Sequence, residues 1–490
     1  MKKILFLFLL PFFLWANPLD FNRDVRPILS DKCFSCHGPD EHGRKADLRL
    51  DIENDAKHED LMAIVAGKPD ESEMIYRIHS DDEEELMPPP EIGKPLSQRE
   101  KEMLEQWIKE GAIWADHWAY VDPVKHSQPQ VIDSNWPTHW IDRFTLADIK
   151  KNQLKPAPDA APITLVRRLH FDLTGLPPTP QEVTNFATNP SPRAYASLID
   201  DLLASPHFGE RMTAYWLDLV RYADTVGYHG DQPHNISPYR DWVINAFNQN
   251  MPFDQFTREQ LAGDLLPGST TQQKVASGYN RLLQTTHEGG LQIKEYDAIY
   301  AADRVRNVSE VWMGATVGCA QCHDHKYDPY TIKDNYALAA FFADIGDRGF
   351  NGNSLPTKRP PEIIIHNPEN LARIQQLQKE MNALLPPANQ KKFQEFQNRK
   401  NRLTSTLKKA KEKDKQDLQN RLGNLDQEIS KLTGEQELAR YRKIRREKIE
   451  IEKLGRPTMI SQAVKPRTMR GLPRGNWMDE SGPIVLPAIP

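Results

Sequence analysis

Cys33-Phe34-Ser35-Cys36-His37 and Cys319-Ala320-Gln321-Cys322-His323 are the stretches on which the reading of this chain turns. Each sets two thiols three positions apart with an imidazole directly after them, and together they use all four cysteines of the 490 residues. Thiols at that spacing add across the two vinyl groups of one haem, and the next residue turns its imidazole beneath the ring to hold iron. The pattern marks covalent haem c at Cys33 and Cys36 with His37 as axial ligand, and a second haem c at Cys319 and Cys322 with His323. Disulfides, a redox Cys-x-x-Cys pair and a shared zinc site are the alternatives. With 15 His in the chain, a His after both pairs is a rare coincidence, and zinc-ligand pairs ordinarily lie closer together in sequence.

A second axial ligand decides the chemistry, because iron with two protein ligands transfers electrons whereas an open position binds peroxide or oxygen. For the first haem Met87 is the candidate. Three prolines follow it and hold the loop extended, and a thioether raises the potential. Met74 and His79 compete, although Met74 shares a helical apolar pattern with Ile75 and Ile78 and reads as core. For the second haem His287, His234, His229 and Met313 are all available, and the choice stays open; His325 is too close to His323 to reach the opposite face. Arg304 or Arg240 is a candidate for the haem propionates. The clusters Arg221-Tyr222-Ala223-Asp224-Thr225, Tyr239-Arg240-Asp241-Trp242, Glu288-Gly289-Gly290 and Asp303-Arg304 are read equally well as structural ion pairs in a helical domain.

A hydrophobic content of 39%, 27% charged residues, 38 prolines and net charge −5 disfavour a membrane bundle and a strongly basic nucleic-acid binder. Residues 1–16, cationic and then apolar up to Trp15-Ala16, read as a secretory signal, or as an anchor if retained. Residues 17–116 form a first domain, closed by a helix that Leu96-Ser97-Gln98-Arg99-Glu100 opens and Gly111 stops. A linker rich in Pro, His and Asp covers 117–138. The block 139–350 carries the second motif and reads as mainly α, with a sharp start signal in Thr179-Pro180-Gln181-Glu182. Over 368–455 Leu371, Ile374, Leu377, Met381 and Leu384, and later Leu418, Leu422, Leu425, Ile429 and Leu432, step by three and four. That predicts a helical hairpin or coiled-coil arm, broken at Pro386-Pro387, either packed on itself or docking another protein. Residues 456–490 read as extended chain.

The chain resembles the planctomycete-type cytochrome c proteins, in which a short cytochrome domain precedes a cytochrome-like domain of unknown function. The likeness covers about residues 20–350. In the first part it rests on Phe21 through Leu29, Cys33 through Gly38, Lys45 through Asp51, Met87-Pro88-Pro89 and Trp107 through Ala112. In the second it rests on Leu173 through Pro178, Arg221 through Thr225, Tyr239 through Trp242, Glu259 through Asp264 and Cys319 through Pro329. The resemblance implies haem binding and electron transfer outside the cytoplasm, with His37 and Met87 at the positions of the axial pair. It also implies a further C-terminal domain after a segment like 471–490, here truncated or encoded as a separate partner. The expectation is an exported, mainly α, dihaem c-type cytochrome passing electrons between a periplasmic partner and an acceptor. The alternatives are a peroxidase-like haem enzyme working at the second haem and a scaffold recruiting partners through 368–455.

Overall fold

In a computed structural model, residues 19–40, 43–131, 136–228, 231–286, 290–346, 359–409, 412–432 and 434–490 are described. Among them the fold is nineteen α-helices and one two-stranded antiparallel sheet, so the chain is mainly α. The signal segment lies outside the described residues, as do His229 and His287 and the pair Glu288-Gly289. The chain divides into two compact units, one made of residues 1–165, 291–344 and 465–490, the other of 166–290 and 345–464. Residues 139–350 are shared between the units, and both cysteine motifs fall in the first.

In the first unit the helices Arg26–Lys32, Glu73–His79 and Gln98–Lys109 bury a core that includes Val25, Leu29, Leu104 and Ile108. Helix Gln98–Lys109 starts where the sequence places it. Ser97 accepts from the Glu100 amide at 3.3 Å while the Glu100 carboxylate accepts from the Ser97 amide at 2.7 Å, which satisfies two otherwise orphaned donors. Trp107, buried at the far end of that helix, donates from Nε1 to Ile113 O at 3.0 Å and packs beside Phe21 and Trp114. A second cluster, around Ala301, Val305, Val317, Ala320 and Leu338, joins helices Ile293–Val308 and Ile332–Ala340 to the short 3-10 turn Val317–Gln321. Met469 packs against it from the segment 465–490. That segment doubles back on itself, with Gly471 N donating to Pro483 O and Val485 N to Met469 O, each at 3.0 Å.

The second unit is built on helices Pro180–Thr188, Pro192–Leu203, Pro206–Leu219, Ser237–Asn248 and Phe253–Ala262. Each of the first four carries a proline in its first turn, where the missing N–H costs nothing. The predicted cap at Thr179 forms, its amide donating to Glu182 Oε2 at 2.6 Å. Inside, Gln260 Oε1 accepts from Trp216 Nε1 at 2.9 Å and from the Tyr239 hydroxyl at 2.6 Å, a buried polar set with its partners supplied. Strands Glu362–Ile365 and Arg456–Met459 pair antiparallel at the base of the arm. The arm is four helices rather than a single hairpin, Pro368–Leu384, Pro387–Lys409, Glu412–Ser430 and Glu435–Glu452, the first packing on the fourth and the second on the third. Pro386-Pro387 ends the first of them as expected. Leu377, Met381, Phe393, Ile429, Leu438 and Tyr441 fill a shared core, which covers part of the apolar steps within the arm, while Leu371 at their start is 46% exposed.

Candidate haem sites

The first motif sits where helix Arg26–Lys32 runs out. Cys33 N still donates to Leu29 O at 2.8 Å, and Cys36 N and His37 N both return to Cys33 O, at 3.0 and 2.8 Å. A helical turn places residues three and four apart on one face, so Cys33, Cys36 and His37 share a side. Gly38 then leaves in extended conformation, where a Cβ would come within 2.3 Å of Phe34 O. The strip that follows wraps the turn. Lys45 N donates to Cys36 O and Leu50 N to His37 O, both at 2.8 Å, and the Arg44 guanidinium donates to Gly38 O at 3.2 Å and to Pro39 O at 3.0 Å.

That strip also orients the imidazole. His37 Nδ1 lies 3.2 Å from Lys45 O, and a carbonyl only accepts, so the proton sits on Nδ1 and the Nε2 lone pair is left for a metal. Burial holds the His37 ring below its ordinary pKa, and the Arg77 charge acts in the same direction. The ring therefore stays neutral, as a ligand must. Burial, with Cys36 beside it, pushes the Cys33 thiol up to about 12, and all four cysteines are free of disulfides. Two unpaired thiols and a neutral imidazole on one face suit haem c and give no sign of a cystine bridge.

Met87 is half-buried, and its amide donates to Arg77 O at 3.0 Å. Arg77 is thus common to both candidate ligands, holding the Met87 backbone through its carbonyl and acting on His37 through its charge. Met74 is part of the apolar core, as its helical pattern suggests, and His79 Nε2 lies 4.0 Å from the Glu105 carboxylate.

The second motif is more open. Cys319, Cys322 and His323 are exposed where their counterparts are half-buried. Cys319 N donates to Thr316 O at 2.9 Å as the 3-10 turn begins, and His323 Nδ1 lies 2.7 Å from Asp324 O, which again leaves Nε2 unprotonated. Below the motif His325 is a hub. Its Nδ1 accepts from the amides of Tyr327 and Asp328, at 3.1 and 2.8 Å, so its Nε2 carries the proton and donates to Thr316 Oγ1 at 2.9 Å. Both nitrogens are engaged, Nδ1 by the loop and Nε2 by Thr316 ahead of the motif.

The segment 465–490 lies against one side of this turn, at Cys322, a placement that composition alone did not reveal. Gly475, at φ +72°, lies so close that a Cβ there would reach within 2.7 Å of Cys322 Sγ. The Tyr336 hydroxyl donates to Gln321 O at 3.0 Å; burial and the neighbouring Cys322 sulfur push its pKa up to about 12. Beside them is a cavity of about 360 Å³ that Ala298, Ala301, Ala302 and Ala339 line on one side and Met469 and Trp477 on another. Lys294, Arg467 and Arg470 line the same cavity and could hold propionates.

The other candidates scatter. Arg240 is held by Asp241 at 3.0 Å, and Asp241 also binds Arg456 at 2.6 Å, the structural ion-pair reading. Arg304 is buried within helix Ile293–Val308. His234 is buried in the second unit, its ring pushed down to about 4 by desolvation and by the charges of Arg281 and Arg359. Met313 ends a π-turn in the first unit with its side chain more than a third exposed.

Residues 33–91 match the family model described as Planctomycete cytochrome C, and residues 140–347 match the one described as a protein of unknown function, DUF1549 (PSCyt2). No curated protein and no solved structure matches the chain. The two matched regions stand in the order the motifs predict, and the first begins at the cysteine whose turn carries the oriented His37. The chain belongs to the planctomycete-type cytochrome c family and is a haem-binding cytochrome.

Proposed function

We propose that the chain is an exported dihaem c-type cytochrome that passes electrons between a redox partner outside the cytoplasm and an acceptor. The observation that carries this is His37, neutral and fixed by Lys45 O on the same face as two free thiols. When bound, each haem supplies a one-electron iron couple. The residues around it anchor it covalently, give an imidazole ligand and limit its exposure to water, which together tune the potential. Cys33, Cys36 and His37 hold the first haem with Met87 as its second ligand; Cys319, Cys322 and His323 hold the second. No described helix is long and apolar enough to cross a membrane.

The test is intact mass with a pyridine haemochrome assay on chain produced alongside a cytochrome-maturation system. Two covalent haems per chain are expected; a colourless, correctly processed protein overturns the reading. Met87→Ala is expected to lower the potential of one haem and turn it high-spin, with haem content unchanged. If both haems keep their spin state in that variant, Met87 is not the ligand.

The exposure of Cys319, Cys322 and His323 favours a second reading, a haem enzyme with an open position at the second site. A spectral change of one haem on adding cyanide or peroxide to the unmutated protein supports it, and two low-spin haems indifferent to both count against it.

A further inference from the structure

We propose that the loop 324–330, held by His117 and Tyr120, clamps the second attachment turn onto the first, so that the two haem centres form one electrically coupled pair and exchange electrons within the chain. The inference rests on the dihaem reading above and deepens it, since it names each centre as the other's redox partner. The exchange moves one electron, oxidising one iron and reducing the other, with no bond made or broken.

The contacts that join the two turns all lie within the first unit. Lys326, just past His323, is 3.9 Å from Asp31, just before Cys33, and Asp31 is also held by Lys94 at 2.5 Å. Arg474 is 3.9 Å from Asp40, just past His37, while the adjoining Gly475 lies against Cys322 Sγ. A chain of direct neighbours thus runs from one motif to the other through Asp40, Arg474, Gly475 and Cys322.

The more protected contacts come from residues that composition assigns to a linker. His117 Nδ1 accepts from the Ala119 amide at 3.3 Å, so Nε2 carries the proton and donates to Asp328 Oδ1 at 3.2 Å. The His117 side chain is only 12% exposed and that of Asp328 28%. The Tyr120 and Tyr330 hydroxyls bond to each other. Asp328 also acts on Arg26, the half-buried first residue of the helix that ends at Cys33. Exposed pairs such as Lys326 with Asp31 and Arg474 with Asp40 are screened and contribute little, so His117, Asp328 and the buried Tyr330, which the half-exposed Tyr120 meets, are the positioning residues. The His325 hub stiffens the loop that carries two of them.

A charge held close to a second centre, in surroundings less polar than water, shifts that centre's redox equilibrium. The experiment is a spectroelectrochemical titration of the holoprotein beside its two single-haem variants, Cys33→Ala/Cys36→Ala and Cys319→Ala/Cys322→Ala. The expected result is that each remaining haem titrates at a potential displaced from its value in the intact protein by about tenfold in equilibrium constant, about 59 mV for one electron. Enhanced electron-spin relaxation of one oxidised haem by the other is expected in the intact protein. Asp328→Asn/Tyr330→Phe, close to isosteric, is expected to keep two haems by haemochrome and to lose most of the displacement. Two covalent haems with additive titrations and independent relaxation in the unmutated protein overturn the clamp and leave the dihaem reading standing. Failure to find a second haem overturns the dihaem reading itself.

Discussion

His37 and His323 each follow a Cys-x-x-Cys pair but have different supports. His37 leans on a carbonyl eight residues on, Lys45 O, whereas His323 uses the carbonyl of the very next residue, Asp324. The first ring is therefore oriented by a folded strip and the second by its own loop. Gly38 is what lets the strip begin, because a Cβ there meets backbone and not a movable side chain. Gly38→Ala is expected to cost about 1–3 kcal/mol through that overlap, read as a lower urea midpoint. An unchanged midpoint means that the 2.3 Å approach relaxes freely. His234 adds to the molecule's acid sensitivity. Its ring titrates near 4 in the folded chain against an ordinary 6.5, so between those values the unfolded chain binds a proton that the folded chain refuses. The stability it contributes is complete above pH 6.5 and falls by roughly 3 kcal/mol as pH drops toward 4. Urea unfolding at pH 7 and pH 4.5 measures this, and His234→Leu is expected to remove that part of the slope. If the slope persists in His234→Leu, another group is responsible.

Helices announce themselves locally, and here the announcements hold. Ser97 with Glu100 and Thr179 with Glu182 are both formed boxes, and Pro386-Pro387 ends a helix. These signals are legible because the groups that satisfy each other are three residues apart. The same logic hides the rest. Tyr120 meets Tyr330, and Gly475 meets Cys322, across stretches of chain that share no periodicity, so no window of sequence contains both halves of either contact. The two candidate attachment turns were readable because haem attachment needs its three residues adjacent; the surroundings of the second turn were not, since they are assembled from distant segments. The arm illustrates both halves of this point. Its leucine steps gave helices, but not that four of them would share one core. Phe393→Ala, emptying a site that is 1% exposed, is expected to destabilise the arm by about 3–5 kcal/mol. Thermal melting followed by far-ultraviolet circular dichroism should show an early helical loss with haem absorbance undisturbed; simultaneous loss of both signals refutes the arm's independence.

At the scale of the molecule the chain leaves each unit and returns to it. The first unit joins described residues from three separate stretches, those up to 165, 291–344 and 465–490, so the two matched regions of the sequence are not the two packing units. Removing 465–490 takes away Met469, Gly475 and Trp477 from beside the second turn. The truncated chain is expected to retain the first haem and lose the second, giving one haem per chain by haemochrome; full retention of two means that the covering segment is dispensable.

The placement of that segment bears on biogenesis. Cys319 and Cys322 are synthesised well ahead of Gly475, with the whole arm in between. If the chain is exported and takes a haem at the second motif, as proposed above, that pair of thiols meets the ligation machinery before Gly475 has been made, and the order of translation itself leaves an interval for porphyrin delivery.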